Sequence, residues 1–326
     1  MRVFYSVLKN NFHRLNENKS RFFMFLFMTA GAILAAIFLN SNPEIAGNIA
    51  VVSDHEVVIS SEYLNITELE KAPPLSELVS GKYDAAVIFD SNGSYDIQTV
   101  KNIEFRQLLD DIISDKHDFH KNDIGTRGNG TNIVGFMMMF IMMQGMTLMF
   151  MFTQDKTKKQ IDRVASSGVS FTGYLCGHAF FAFIFLLVPT MAMLFITKFI
   201  LRLDIGLGLL NYLFLISMLC ALSSSFTIFA SALFKKSETA NMAVSSIVVL
   251  TSILAGSFYS FDKDNKLLEY IITVLPQKSF LSISNLLEQG KGICHWFGYG
   301  LYIILLILAL FIFAVIKTKR AYINRK

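Results

Sequence analysis

Charge is scarce in this chain, and cysteine scarcer still. Only 17% of the 326 residues are Asp, Glu, Lys or Arg, against about a quarter in an ordinary soluble domain. Residues 22–43, 131–154, 179–197, 205–234 and 239–261 carry no charge at all, and 292–316 is interrupted only by His295. The three cysteines, Cys176, Cys220 and Cys294, have no C-x-x-C spacing, which supports neither a disulfide framework nor a zinc site. Hydrocarbon takes the place of charge: 53% of residues are hydrophobic and the mean hydropathy is +0.48. A soluble globular enzyme is excluded, and so is a disordered chain, because Phe, Met, Leu and Ile dominate and the net charge is only +4. Each uncharged run can supply the roughly 20 apolar residues that cross a bilayer core of about 30 Å.

The few charges are unevenly placed. With six spans and both termini on one side, the segments 1–21, 154–178, 235–240 and 317–326 hold 16 of the 29 Lys and Arg but four of the 25 acids. That side carries +12 and the other −8, so the positive-inside rule predicts cytoplasmic termini in a multi-pass protein of the cell membrane. The first apolar stretch exceeds the 7–15 residues of a signal-peptide core and lacks an A-x-A cleavage pattern at 40–43, which predicts an uncleaved anchor.

Pattern then divides the chain. Residues 1–19 place Phe4, Val7, Leu8, Phe12 and Leu15 at helical spacing with Lys9, Asn10 and Arg14 opposite, as in a helix lying at the membrane surface, although a polar tail is an alternative. Spans are expected at 20–42, 132–153, 175–200, 207–234, 240–261 and 293–316. Residues 43–131, the one polar block of domain size, read as a small α+β outer domain. Its strands are expected at 48–53, 83–89 and 95–99, with an Asn92-Gly93 hairpin turn and a helical stripe through Phe105, Leu108, Leu109, Ile112 and Ile113. Residues 154–174 read as a basic inner helix and loop, and 262–291 as two outer helices split at Pro276 that dip into the membrane; 317–326 is a cytoplasmic tail.

Two stretches carry a family pattern. Leu78-Val79-Ser80-Gly81-Lys82-Tyr83-Asp84-Ala85-Ala86-Val87-Ile88 lies in the outer block. On the inner side, Asp155 and Arg163 are followed by Ser167-Gly168-Val169-Ser170 and Tyr174-Leu175-Cys176-Gly177-His178. In this order the chain resembles the permease subunits of ABC-2 type ATP-binding-cassette exporters. It departs from them in Gly168 for Pro, His178 for Lys, and Lys158-Lys159 where a Gly-Thr pair falls. The resemblance implies an all-α six-helix transmembrane domain of the ABC-2, or type V exporter, kind, with the α+β domain inserted between helices 1 and 2. It also implies a cytoplasmic ATPase subunit and a second permease copy or paralogue as partners. The inner helix would then be the ATPase-coupling site, with Asp155, Lys158, Lys159, Ile161, Arg163, Val164, Ser167, Gly168 and Ser170 facing the ATPase and Lys156 among its rim charges. A loop that merely fixes topology is the alternative.

No G-x-x-x-x-G-K-[ST] phosphate loop occurs, so the chain is read as a non-enzymatic subunit that binds no cofactor, with ATP and Mg expected on the partner. No span carries an Asp, Glu, Lys or Arg in its interior, which disfavours ion-driven transport. A methionine-rich second span and hydroxyl-rich fourth and fifth spans are the material of close helix packing, with a translocation path through Met142, Gln144, Met146, Met149, Ser224, Thr227 and Ser246 as the functional reading. His117 and His120 on an acidic stretch are a weak metal pattern, and no nucleophile arrangement is identifiable. The expected function is export of a hydrophobic or amphipathic compound such as a peptide antibiotic, drug or lipid. The alternative is an envelope scaffold or sensor whose outer domain binds a ligand.

Overall fold

The computed structural model describes residues 2–17, 19–40, 47–53, 64–69, 71–79, 82–89, 95–99, 106, 109–110, 113, 128–166, 170–234, 236–256 and 266–322. In chain order the elements are α1 (Arg2–Asn16), α2 (Lys19–Asn40), β1 (Gly47–Val52), β2 (Leu64–Glu68), α3 (Leu75–Val79), β3 (Ala85–Phe89) and β4 (Tyr95–Thr99). They continue with α4 (Asn129–Leu148), α5 (Phe150–Thr157), α6 (Gln160–Ser166), α7 (Phe171–Phe195), a π-helical turn (Ile196–Ile200), α8 (Leu209–Leu233), α9 (Ser237–Leu254), α10 (Lys266–Val274), α11 (Pro276–Glu288) and α12 (Ile293–Tyr322). Two compact units result: Leu39–Gly128, and Met1–Phe38 together with Asn129–Lys326.

In the smaller unit the strand order is β2-β1-β3-β4, with β1 parallel to both β2 and β3, and β3 antiparallel to β4. Alternation sorts the side chains by face. Ile49, Val51, Ala85, Val87 and Ile97 pack with Leu109, while Ala50 and Ala86 pack with Leu78 of α3 and Tyr83. Asp84 of the Tyr-Asp-Ala stretch joins three strands: its carboxylate accepts from the Asn48 N–H at 2.8 Å, its own N–H donates to the Asn48 carbonyl at 2.8 Å, and its carbonyl accepts from Thr99 Oγ1 at 2.7 Å. The edge strand β2 falls outside the sequence expectation, because Leu-Asn-Ile-Thr-Glu offers too short an apolar alternation to read as a strand. The Asn92-Gly93 turn and the His117–His120 stretch lie outside the described residues.

The larger unit is a helical bundle. By length and composition, four helical stretches are able to cross a membrane: Asn129–Thr157, Phe171–Ile200, Leu209–Leu233 and Ile293–Ala321. Two shorter apolar helices, Phe23–Phe38 and Glu238–Leu254, accompany them. Contact between α4 and α8 is close because Gly145 has no side chain. Ser223 Oγ fills the space and donates to the Ile141 carbonyl at 3.0 Å. On the other side of α8 lies α12, with Phe229 against Phe313 and Phe214 against Trp296. Its outward face is Phe297, Leu301, Leu305, Leu308 and Ile312, all exposed, as suits a helix bathed in hydrocarbon. Pro276 opens α11, where its missing N–H costs no hydrogen bond.

The first helix departs from the amphipathic expectation in one respect. Arg14, placed by spacing on the polar face, turns inward, while Tyr5 is exposed and Phe12 lies at the edge, partly exposed. The inward face of α1 packs on α7, with Phe4 against Phe180, Phe12 against Phe181, and Val7 over Gly177. A Cβ at Gly177 would stand 3.2 Å from the Phe4 carbonyl, so the glycine permits this approach.

Candidate functional site

The apolar stretch through α4 and α5 ends in two charged residues, Asp155 and Lys156. Both are turned into the protein rather than away from it. Asp155 is 3% exposed. Its carboxylate pairs with the Arg14 guanidinium at 3.0 Å and accepts from the Tyr174 hydroxyl at 2.6 Å, with His178 Nε2 3.5 Å from the second oxygen. Arg14 also donates to Gln154 Oε1 at 2.9 Å. His178 Nδ1 lies 3.0 Å from the amide nitrogen of Asn11, which is fully buried on α1. With the amide donating, Nδ1 is the acceptor and the ring proton sits on Nε2, facing the carboxylate. The result is a neutral interior cluster of one cation and one anion drawn from α1, α5 and α7.

Lys156 points elsewhere. Its ammonium lies over the Phe152 ring and donates to the Ser231 and Phe234 carbonyls at the C-terminal end of α8. A cation is favourable there, since the last carbonyls of a helix lack intrahelical partners. The sequence expectation put Asp155 and Lys156 toward the ATPase. Asp155 is buried and Lys156 half-buried against the end of α8, so both hold the corner from behind.

Beyond them the chain turns. Lys159 adopts φ 54°, the left-handed conformation that favours glycine, and this is where the family pattern carries Gly-Thr. The turn swings α6 round so that Lys158, Lys159, Asp162, Arg163 and Ser166 are exposed. Ile161, expected as a partner-facing anchor, is instead fully buried, and Val164 packs half-buried against the same core. An apolar side chain at that helical position is drawn to the protein's own interior. Ser167 and Gly168 lie outside the described residues. Ser170 is exposed and caps α7, its hydroxyl accepting from the Gly173 N–H at 3.3 Å. Ser170→Ala is expected to cost about 1 kcal/mol, with Ser170→Asp close to the parent, as read by thermal unfolding in detergent.

The path candidates are mostly internal. Met142, Met146 and Met149 are buried in the bundle, and Gln144 reaches the Thr29 hydroxyl at 3.3 Å on α2. Ser224 donates to the Cys220 carbonyl at 2.8 Å and Thr227 to that of Ser223 at 2.8 Å, both along α8 itself. Ser246 alone among the seven is exposed, on α9. The described coupling candidates therefore lie at one corner, whereas the path candidates do not share one surface.

A second polar junction went unread in the sequence. Glu288, the last residue of α11, accepts from the Gly130 N–H at 2.9 Å, the Thr131 N–H at 3.0 Å and the Thr131 hydroxyl at 2.7 Å, capping the N-terminus of α4. Among the described residues, no cluster of three or more His, Cys, Asp or Glu could hold a metal ion.

Residues 112–285 match the family model described as ABC-2 type transporter. Comparison with curated proteins gives no match.

Proposed function

Since the chain belongs to the ABC-2 type transporter family, we propose that it is the membrane permease subunit of an exporter that moves a hydrophobic or amphipathic compound out of the cell. Members of this family are typically membrane transport components rather than enzymes and generally work with an ATP-binding subunit. ATP and Mg belong to that partner. In this reading α2 and α9 join the four longer helices as spans, the termini lie in the cytoplasm, and the sheet unit stands outside the cell. The charge partition of +12 against −8 supports that orientation.

The observation that carries the reading is the α5–α6 corner. It presents Lys158, Lys159 and Arg163 on a surface whose root is held by buried charge contacts to α1, α7 and α8. A basic, exposed and rigidly backed corner is suited to an acid-rimmed groove on an ATPase. Asp162 and Ser170 add polar contacts at its edge. The cargo path is assigned to the surface where two permease copies meet, with Ser246 on it. The buried methionines make α4 adaptable in packing rather than lining the route.

Co-purification from membranes with an ATP-binding-cassette ATPase tests this. Association is expected for the parent and lost, by at least about tenfold, on the double charge reversal Lys159→Glu/Arg163→Glu. Undiminished association removes the docking assignment. A sheet unit that binds a ligand with no ATPase associated supports the scaffold reading instead.

A further inference from the structure

Asp155 and Lys156 are adjacent in the chain, yet they hold different helices. Successive side chains on a helix diverge by about 100°, so two neighbours at the end of α5 reach two sides of the bundle. On one side Asp155 binds Arg14 of α1 and Tyr174 of α7. On the other, Lys156 binds the Ser231 and Phe234 carbonyls, where α8 ends and the short turn into α9 begins. Phe152, one turn back and fully buried, lies between them: its ring meets Tyr174 and His178 on one flank and the Lys156 ammonium on the other.

We infer that this corner is a two-way divider, in which Asp155 passes movement of the docked α6 to α1 and α7, and Lys156 passes it separately to the α8–α9 turn. The inference rests on the permease reading and names how that site would act. Charge contacts suit the task. A charge-assisted hydrogen bond is short and directional, so each contact fixes both the distance and the orientation of the helix that it holds. Coupling of this kind needs a contiguous physical connection, and here each arm is a single side chain long. Asp155 and Lys156 are thus positioning residues: neither faces the ATPase, and each acts through the helix that it holds.

The two arms are separable by experiment. The permease is co-purified with its ATPase, Cys176 and Cys294 are replaced by serine, and one fluorophore is attached through Lys9→Cys on α1 or Lys236→Cys at the α8–α9 turn. Both of these positions are exposed, and the remaining Cys220 is buried. Trapping the ATPase with ATP and vanadate is expected to change emission at both reporters. Asp155→Asn is expected to reduce the Lys9 response at least about fivefold and spare the Lys236 response, and Lys156→Met to do the reverse, with Lys156→Arg restoring it. Tyr174→Phe, which removes one hydroxyl, repeats the Asp155 arm in milder form should Asp155→Asn fold poorly. Equal loss at both reporters, or loss at neither, overturns the divider while the permease stands. Absence of a co-purifying ATPase overturns the permease reading and the divider with it.

Discussion

Asp155→Ala is expected to lower the stability of the helical bundle by about 3–5 kcal/mol, the cost of stranding a buried charge. Arg14 is drawn inward from α1 and its guanidinium meets the Asp155 carboxylate at 3.0 Å, both side chains being largely buried. Without the carboxylate, the Tyr174 hydroxyl also loses its 2.6 Å acceptor. Removing both charges together is milder than removing either, because no unpaired ion is left in the interior. Arg14→Met/Asp155→Leu is therefore expected to melt above Asp155→Ala. A double-mutant cycle should return a coupling energy of at least about 2 kcal/mol. The readout is thermal unfolding in detergent, followed by size-exclusion chromatography, with trypsin cleavage near Arg14 and Lys19 reporting release of α1. If Asp155→Ala melts with the parent, the cluster contributes nothing and α1 is held by its aromatic contacts alone.

The helices were legible and the charge contacts were not, for a physical reason. Uncharged runs and helical spacing are local signals, and α7, α8 and α12 fall where those runs lie. The break at Pro276 is likewise local, written in the ring that cannot donate a hydrogen bond. By contrast, Arg14 and Asp155 are 141 residues apart, and neither end records the other. Spacing placed Arg14 on the polar face of α1 because it counts a guanidinium as solvent-seeking, yet an available carboxylate reverses that preference. Asn11 is fully buried on the same helix, and a buried amide implies a polar partner in the facing helix, which is His178. Glu288 offered another. An acid at the last residue of a helix opposes that helix's own dipole, so its charge must be compensated elsewhere. The resemblance singled out residues 154–174 by their motif, but a motif does not say which of those side chains turn inward. Ile161 and Lys156 show that direction is set by the interior they pack into.

Gly206→Ala is expected to prevent assembly of the junction between α11 and α4. Gly206 has φ +72°, which L side chains rarely adopt, and a Cβ there would collide with the backbone nitrogen of Gly130 and with Glu288 Oε1. Backbone cannot rotate out of the way as a side chain can, so strain and collision add. Glu288 is the partner that would be displaced. Its carboxylate satisfies two N–H groups of the first turn of α4 and the Thr131 hydroxyl, and leaving such donors unmet costs about 1–3 kcal/mol. Glu288→Gln keeps the length but only one acceptor oxygen, so it should fall between the parent and Glu288→Ala. Gly208 is the internal control: it lies two residues on, and a Cβ added there meets nothing within 4 Å. Gly208→Ala, which loses only the preference for glycine at the N-cap of α8, should stay close to the parent yield in a monodisperse form, whereas Gly206→Ala should fall by at least about tenfold in folded material, a difference worth about 1.4 kcal/mol or more. Equal recovery of the two variants would mean that the left-handed turn before α8 relaxes freely, and that Glu288 does not hold α4 in place.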